Sequence, residues 1–502
     1  MRLLEAAAVL LVALGCSSSG EAGEAGRSGT APIVRQPAVA GLFYPGDADE
    51  LARTVDGLLQ DAAEYGVEGS VVSGVVPHAG YAYSGRVAAS FYRILEGREY
   101  DLVFLVCPSH HVAFRGFSVF GGDAYETPLG EVPVATDVCR RLTDSDPDAS
   151  FVPAAHSDEH AIEVQLPFLQ RVLPEGFEIV PIVVGNATED QLAFMAELML
   201  AEASGRRTLV IASSDLSHYP PDSLAREVDR ETVDCYLEGD PGAMLYRTLY
   251  EPMPPGVSTF ACGGVAMALV LSYDRIYPGV GTGVIEMANS ADAGADPSEV
   301  VGYAAIVSES PFSDPAQWSL DDGDREILLG IAVSSVESAV TGGGTVVPET
   351  GGDGDLELPR GVFVTLRENG ALRGCIGTIR PVEPLASAVR DMAEAAALED
   401  PRFRPVTPEE LPALEYEVSV LSPLQILPDW HDAEVGRDGL LIISDRGSGL
   451  LLPQVPVEMG WDLTGFMEGL CTKAGLPVDA YTGDVVLYRF QAEVFGTDDL
   501  ED

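Results

Sequence analysis

The chain has 502 residues, with 79 Asp+Glu against 29 Lys+Arg and a formal net charge of −50. That length exceeds what one hydrophobic core supports, so two domains are expected. So acidic a surface argues against a nucleic-acid partner, because phosphate binding needs clustered Lys/Arg to release counterions.

In chain order, the first feature is a short apolar stretch, Ala6–Gly15, followed by Cys16. It is too short to span a bilayer as a helix but fits a signal-peptide core. Ala13-Leu14-Gly15-Cys16 resembles a bacterial lipobox, in which the cysteine becomes the lipidated first residue of the mature protein. Residues 1–16 therefore read as a lipoprotein-type leader and 17–34 as a Ser/Gly/Glu/Ala tether. The expected location is the cell envelope, with the membrane touched only through Cys16. Arg2 is the leader's sole basic residue and Glu5 fits poorly, so a mis-called start codon and a cytoplasmic protein stay as the alternative.

From Arg35 to Ser308, short runs rich in Val, Ile and Leu alternate with helical patterns. Val71–Val76, Leu102–Val106, Ile179–Val184 and Leu209–Ala212 read as buried strands, with Gly283–Met287 and Val300–Val307 closing the region. Helices are expected over Gly85–Leu95, Glu159–Val172, Glu189–Ala203 and Leu224–Leu237. This alternation predicts an α/β domain with a mostly parallel sheet covered on both faces. A polar segment, 309–323, separates it from a smaller α+β unit over 324–497. That unit opens with a helix at Arg325–Val340 and holds a hairpin whose Asn369-Gly370 turn joins Val362–Leu366 to Leu372–Ile379. Helices near Pro384–Ala397 and Leu463–Ala474 alternate with further strands. The two units are expected to fold separately.

Six of the seven histidines fall in the first unit, His431 being the exception. His78, His110 and His218 each follow a predicted strand directly, and parallel strands would bring their loops to one sheet edge, where ligands bind in open α/β folds. Imidazole is the commonest transition-metal ligand, and a thiolate or carboxylate often completes the set. Cys262 stands before an apolar helical pattern, Val265–Leu271, and a cysteine at a helix amino terminus is expected to have a lowered pKa. The seven cysteines lie far apart with no CxxC pair, which argues against a structural zinc site.

The stretches PAVAGLFYP (37–45), PHAGYAYSG (77–85), CPSHH (107–111), DEHAIEVQLPF (158–168), SSDLSH (213–218) and ACGG (261–264) together resemble the Memo family in order and spacing. That family is similar in fold to the class III extradiol dioxygenases, and its members carry a His/His/Cys site linked to copper or iron and to redox chemistry. The resemblance implies His78, His110 and Cys262 as metal ligands, with Asp215, His218, His160 and Glu163 in catalytic positions beside the metal. A thiolate in the third place departs from the two-His-one-carboxylate iron site, so dioxygenase activity is not simply inherited. LRGCIGT (372–378) with Pro401-Arg402-Phe403 resembles the AMMECR family. The resemblance implies membership of the AmmeMemoRadiSam system. A radical-SAM partner would then be another chain, since the CxxxCxxC signature is missing here. Arg373, two residues before Cys375 on the same strand face, would activate that thiol if it lay close; otherwise Cys375 is a packed strand residue.

The leading reading is a metal-dependent redox or oxygenase-like protein acting on an unknown small molecule. A non-catalytic module that binds metal or a peptide is the alternative. A hydrolase using Ser213 or Ser214 with Asp215 and His218 is the weakest, because triad members normally come from separate segments and no G-x-S-x-G elbow occurs.

Overall fold

The computed structural model describes residues 32–310 except 68 and 278, and residues 320–497 except 345, 347–355, 357, 380–382, 445 and 484. The leader with Cys16, nearly all of the tether and most of the segment between the two units lie outside the described residues. No helix among the described residues is long and apolar enough to cross a membrane.

The first domain is built on an eight-stranded sheet. Its strands run in the order Gly281–Asn289, Gly302–Ser310, Ser70–Val76, Thr208–Ser213, Leu102–Pro108, Glu178–Val184, Phe117–Val119 and Ala149–Ser150. The four central strands, Ser70–Val76 to Glu178–Val184, are mutually parallel; antiparallel pairings attach Gly302–Ser310 on one side and Phe117–Val119 on the other. Leu102–Pro108 is buried along its whole length, as its unbroken apolar sequence requires of a strand covered on both faces. Helices Ala48–Asp61, Tyr81–Arg93 and Leu166–Val172 pack together as one group, and Glu189–Ala203, Pro241–Leu249 and Gly264–Ile276 as another. The helix Glu189–Ala203 has the expected bounds, set by a capping box between Thr188 and Gln191.

One expected element is divided. In place of a single helix over Glu159–Val172 there are two short ones, His160–Glu163 and Leu166–Val172. Pro167 has no N–H to donate to the Glu163 carbonyl, so the helix breaks at Val164-Gln165. The break frees the Gln165 side chain for the site described below.

The second domain carries two four-stranded antiparallel sheets. The hairpin Val362–Glu368/Ala371–Thr378 turns through Asn369 and Gly370 at φ 52° and 76°, the left-handed pair that suits strand twist. Helices Asp322–Thr341 and Leu385–Leu398 pack against the first sheet, and Leu463–Lys473 against the second.

The apolar core of the first domain continues into the second domain through Leu441, Ile443, Val486, Tyr488 and Phe490. Strands of the second sheet lie against helices Thr136–Ser145 and Glu189–Ala203, where the Ser145 and Tyr488 hydroxyls hydrogen-bond at 2.8 Å. Glu189–Ala203 is apolar on nearly all sides, which suits a helix covered from within and from without.

Candidate metal centre

The strands Ser70–Val76, Thr208–Ser213 and Leu102–Pro108 are neighbours, so the loops after their carboxyl ends, bearing His78, His218 and His110, meet at one sheet edge. The first turn of the His160–Glu163 helix joins them there. Among the described residues, the ligand atoms of His78, His110 and His160 all lie within 4.8 Å of one another, close enough to share one metal ion. Their rings sit 4.7–5.4 Å apart between centroids. His78 is buried, His160 half-buried, and His110 faces solvent.

Two of the three imidazoles are oriented from behind by hydrogen bonds. The Ser213 hydroxyl donates to the Ala161 carbonyl at 2.7 Å and accepts from Gln165 Nε2 at 2.8 Å. It therefore meets His78 Nδ1, 3.0 Å away, as an acceptor, which puts the proton on Nδ1 and leaves Nε2 free to ligate. Gln165 is itself fixed by the Tyr92 hydroxyl at 2.8 Å. Glu159 does the same for His110: one carboxylate oxygen takes His110 Nδ1 and the other its backbone N–H, both at 2.8 Å. That Oε1 is also 3.5 Å from His160 Nδ1.

Charge follows from this geometry. Burial, reinforced by His110, pushes His78 down to about 3, and burial with His78 pushes His160 down to about 4. Both are neutral at pH 7, the state that binds metal. Burial also acts against the His110 cation, but Glu159 outweighs it and raises the pKa. Glu159 in turn is held down at about 2, its hydrogen bonds and the His110 charge overcoming burial. A three-imidazole group backed by a carboxylate fits a transition metal rather than magnesium or calcium, which prefer oxygen ligands.

The remaining predicted residues take distinct places. Cys262 Sγ is 3.1 Å from His78 Nε2, but it stands one residue before the Gly263 cap of helix Gly264–Ile276. The expected lowering of its pKa is not found: burial and then the Asp215 charge push the thiol well up, overriding backbone hydrogen bonds. Asp215 accepts from His78 and Ala79 N–H at 2.8 and 3.2 Å, so it organises the His78 loop. Burial raises its pKa. His218 is half-buried, and its Nε2 has no hydrogen-bond partner. Burial lowers its pKa against the pull of Asp215, so the two are within electrostatic reach. Glu163 is fully buried and accepts from Arg35, Ala38, Val39 and Tyr44.

Sequence reasoning missed Glu159, Ser213 as an orienting hydroxyl, and Gln165. Only Glu159 had a signal, as the acidic residue directly before His160. In the second domain, Arg373 pairs with Glu410 at 3.0 Å, while Arg402 donates to the Cys375 carbonyl and Thr365 Oγ1 lies 3.3 Å from its sulfur.

The chain matches the family model described as Memo-like protein over residues 35–307 and that described as AMMECR1 over residues 329–495. A MEMO1 family protein of Methanosarcina barkeri is 36% identical over 279 residues, covering 55% of this chain and 100% of its own. One of Methanosarcina acetivorans is 38% identical over 283 residues, with 55% and 99% covered. A Thermococcus kodakarensis protein is 46% identical over 189 residues, 36% of this chain and 92% of its own. Among solved structures, an uncharacterized Pyrococcus horikoshii protein is 39% identical, covering 36% of this chain and 94% of its own at a TM-score of 0.34.

Proposed function

Because the chain belongs to the Memo-like protein family and carries an AMMECR1 domain behind it, we propose that it is a metal-dependent redox or oxygenase-like protein that uses copper or iron at the histidine group. The observation that carries this reading is the convergence of His78, His110 and His160 within 4.8 Å, with Glu159 fixing the ring of His110. The bound ion would supply electron transfer and Lewis acidity. His78, His110 and His160 would hold it, and Cys262, in contact with His78, would join as a fourth ligand once the cation lowers the thiol pKa.

The chain's own residues do the rest. Ser213 and Glu159 keep the Nδ1 protons of His78 and His110 in place, so those rings present Nε2. His110, at the solvent side, marks the face from which a small organic substrate enters. His218 is the group to move a proton, since its ring Nε2 has no hydrogen-bond partner and burial lowers its pKa against the pull of Asp215. A radical-SAM protein would act as a separate partner chain.

The test is oxygen uptake by copper- or iron-loaded protein supplied with ascorbate. Uptake that His218→Ala reduces at unchanged metal content supports the reading. Metal binding with no uptake under either metal replaces it with the alternative, a non-catalytic metal- or peptide-binding module.

A further inference from the structure

Glu159, which backs His110 and lies 3.5 Å from His160, rests in turn on one buried ion pair. Arg35 and Glu163 are 6% and 0% exposed and form a salt bridge, although 128 positions separate them in sequence. A buried guanidinium and carboxylate are tolerated only when their hydrogen-bonding capacity is filled, and here it is. Arg35 Nε donates to the His156 carbonyl at 3.1 Å and Nη2 to the Glu159 carbonyl at 2.6 Å. It thus clamps both ends of the turn that leads into His160. Glu163 accepts from Ala38 N at 2.7 Å, Val39 N at 3.0 Å and the Tyr44 hydroxyl at 2.5 Å.

These three donors all belong to one strap, Pro37–Pro45. The strap doubles back so that Phe43 N–H meets the Val39 carbonyl at 2.9 Å, and the Phe43 carbonyl takes Tyr81 N–H at 2.8 Å. Its Phe43 ring lies against the His160 ring, 4.9 Å between centroids. One pair therefore holds His160 from two sides: through the backbone of the turn that carries Glu159, and through the aromatic wall.

We propose that Arg35 and Glu163 are positioning residues, a brace that fixes Glu159 and His160 in the arrangement that binds metal. This rests on the reading of the histidines as a metal group. It assigns Glu163 a role through other residues rather than contact with the metal or substrate.

The probe is Co(II), whose visible spectrum reads ligand geometry and whose affinity needs no turnover. Wild type, Glu163→Gln, Tyr44→Phe, Phe43→Leu, His160→Ala and the double variant Glu163→Gln/His160→Ala are titrated. Glu163→Gln should weaken Co(II) binding by roughly tenfold or more, the range expected when groups behind metal ligands are altered, and shift its spectrum; Tyr44→Phe and Phe43→Leu, one contact further out, should weaken it less. In the His160→Ala background, Glu163→Gln should cost less than in wild type, because one of the two groups it positions is already gone. Full additivity in the double variant, or wild-type affinity and spectrum in Glu163→Gln, overturns the brace while leaving the metal reading intact. Should Glu163→Gln fail to fold, wild-type binding by both Tyr44→Phe and Phe43→Leu overturns it instead. A wild type that binds no Co(II) overturns the metal reading, and the brace with it.

Discussion

Asp274 gives a sharp test of the buried electrostatics in the first domain. It lies near the end of helix Gly264–Ile276, 6% exposed, and accepts from Ser73 Oγ at 2.7 and 2.8 Å and from Ser308 Oγ at 2.8 Å. Burial, only partly offset by these serines, pushes its carboxyl from 3.8 up to about 7. In the unfolded chain the group ionises near its ordinary value. Between about pH 4 and 7 the folded state therefore binds a proton that the unfolded state has released, and stability falls as pH rises through this window. At ~1.4 kcal/mol per pH unit, ionising Asp274 in place costs roughly 4 kcal/mol by pH 7. For a domain of this size that corresponds to a Tm loss on the order of 8 °C. Asp274→Asn keeps the shape and removes the titration. Acid also relieves repulsion in a chain of net charge −50, so the wild-type profile alone is not decisive. The quantity to read is the difference between variant and wild type, by scanning calorimetry from pH 4.5 to 7.5. The Asp274→Asn variant should gain relative to wild type as pH rises and level off above 7. Parallel profiles would refute the argument.

A Cβ at Gly263 would stand 2.6 Å from the Ser213 carbonyl and 2.7 Å from Ser214 Cβ, so Gly263→Ala must displace Cys262 or its neighbours. It should lower metal affinity several-fold and cost about 1–3 kcal/mol by urea unfolding; unchanged values in both would contradict the geometry. A protease site placed within residues 311–319 and cut after folding should leave two fragments that co-elute on gel filtration, even in 1 M salt, because the contact around Tyr488 is apolar. Separation at micromolar concentration would show the contact to be weak. Mass spectrometry of native protein should find a lipidated Cys16 and no unmodified Met1, and an intact soluble chain bearing Met1 would remove the anchor.

The sheet was legible because its central strands are buried on both faces and so read as unbroken Val/Ile/Leu runs. Helix Glu189–Ala203 was legible for its cap and length. Helices Ala48–Asp61, Thr136–Ser145 and Pro241–Leu249 were not found, since each is short or rich in charge and settles only on packing. The histidine-bearing loops could be placed at one edge from the expected parallel direction of their strands. What sequence could not supply was contact across distance. Whether His160 would ligate or assist depended on a turn held by Arg35, 124 positions from Glu159. The family resemblance implied Glu163 as site chemistry, yet the helix turns its carboxylate into the strap. Cys262 carried a helix-terminus signal that burial outweighs.

Everything proposed for the first domain depends on one metal ion held by His78, His110 and His160 with Cys262 in contact. The decisive measurement is metal stoichiometry, by elemental analysis and calorimetry, on wild type and on His78→Ala, His110→Ala, His160→Ala, Cys262→Ser and the distant control His431→Ala. Wild type and His431→Ala should bind one equivalent of copper or iron, and each of the three site histidine variants should lose most of it. Cys262→Ser should retain metal with weaker affinity. Binding should fall on acidification, since the imidazoles must stay unprotonated. Wild-type metal content in all three site histidine variants, or none in wild type at micromolar concentration, would contradict the shared ion.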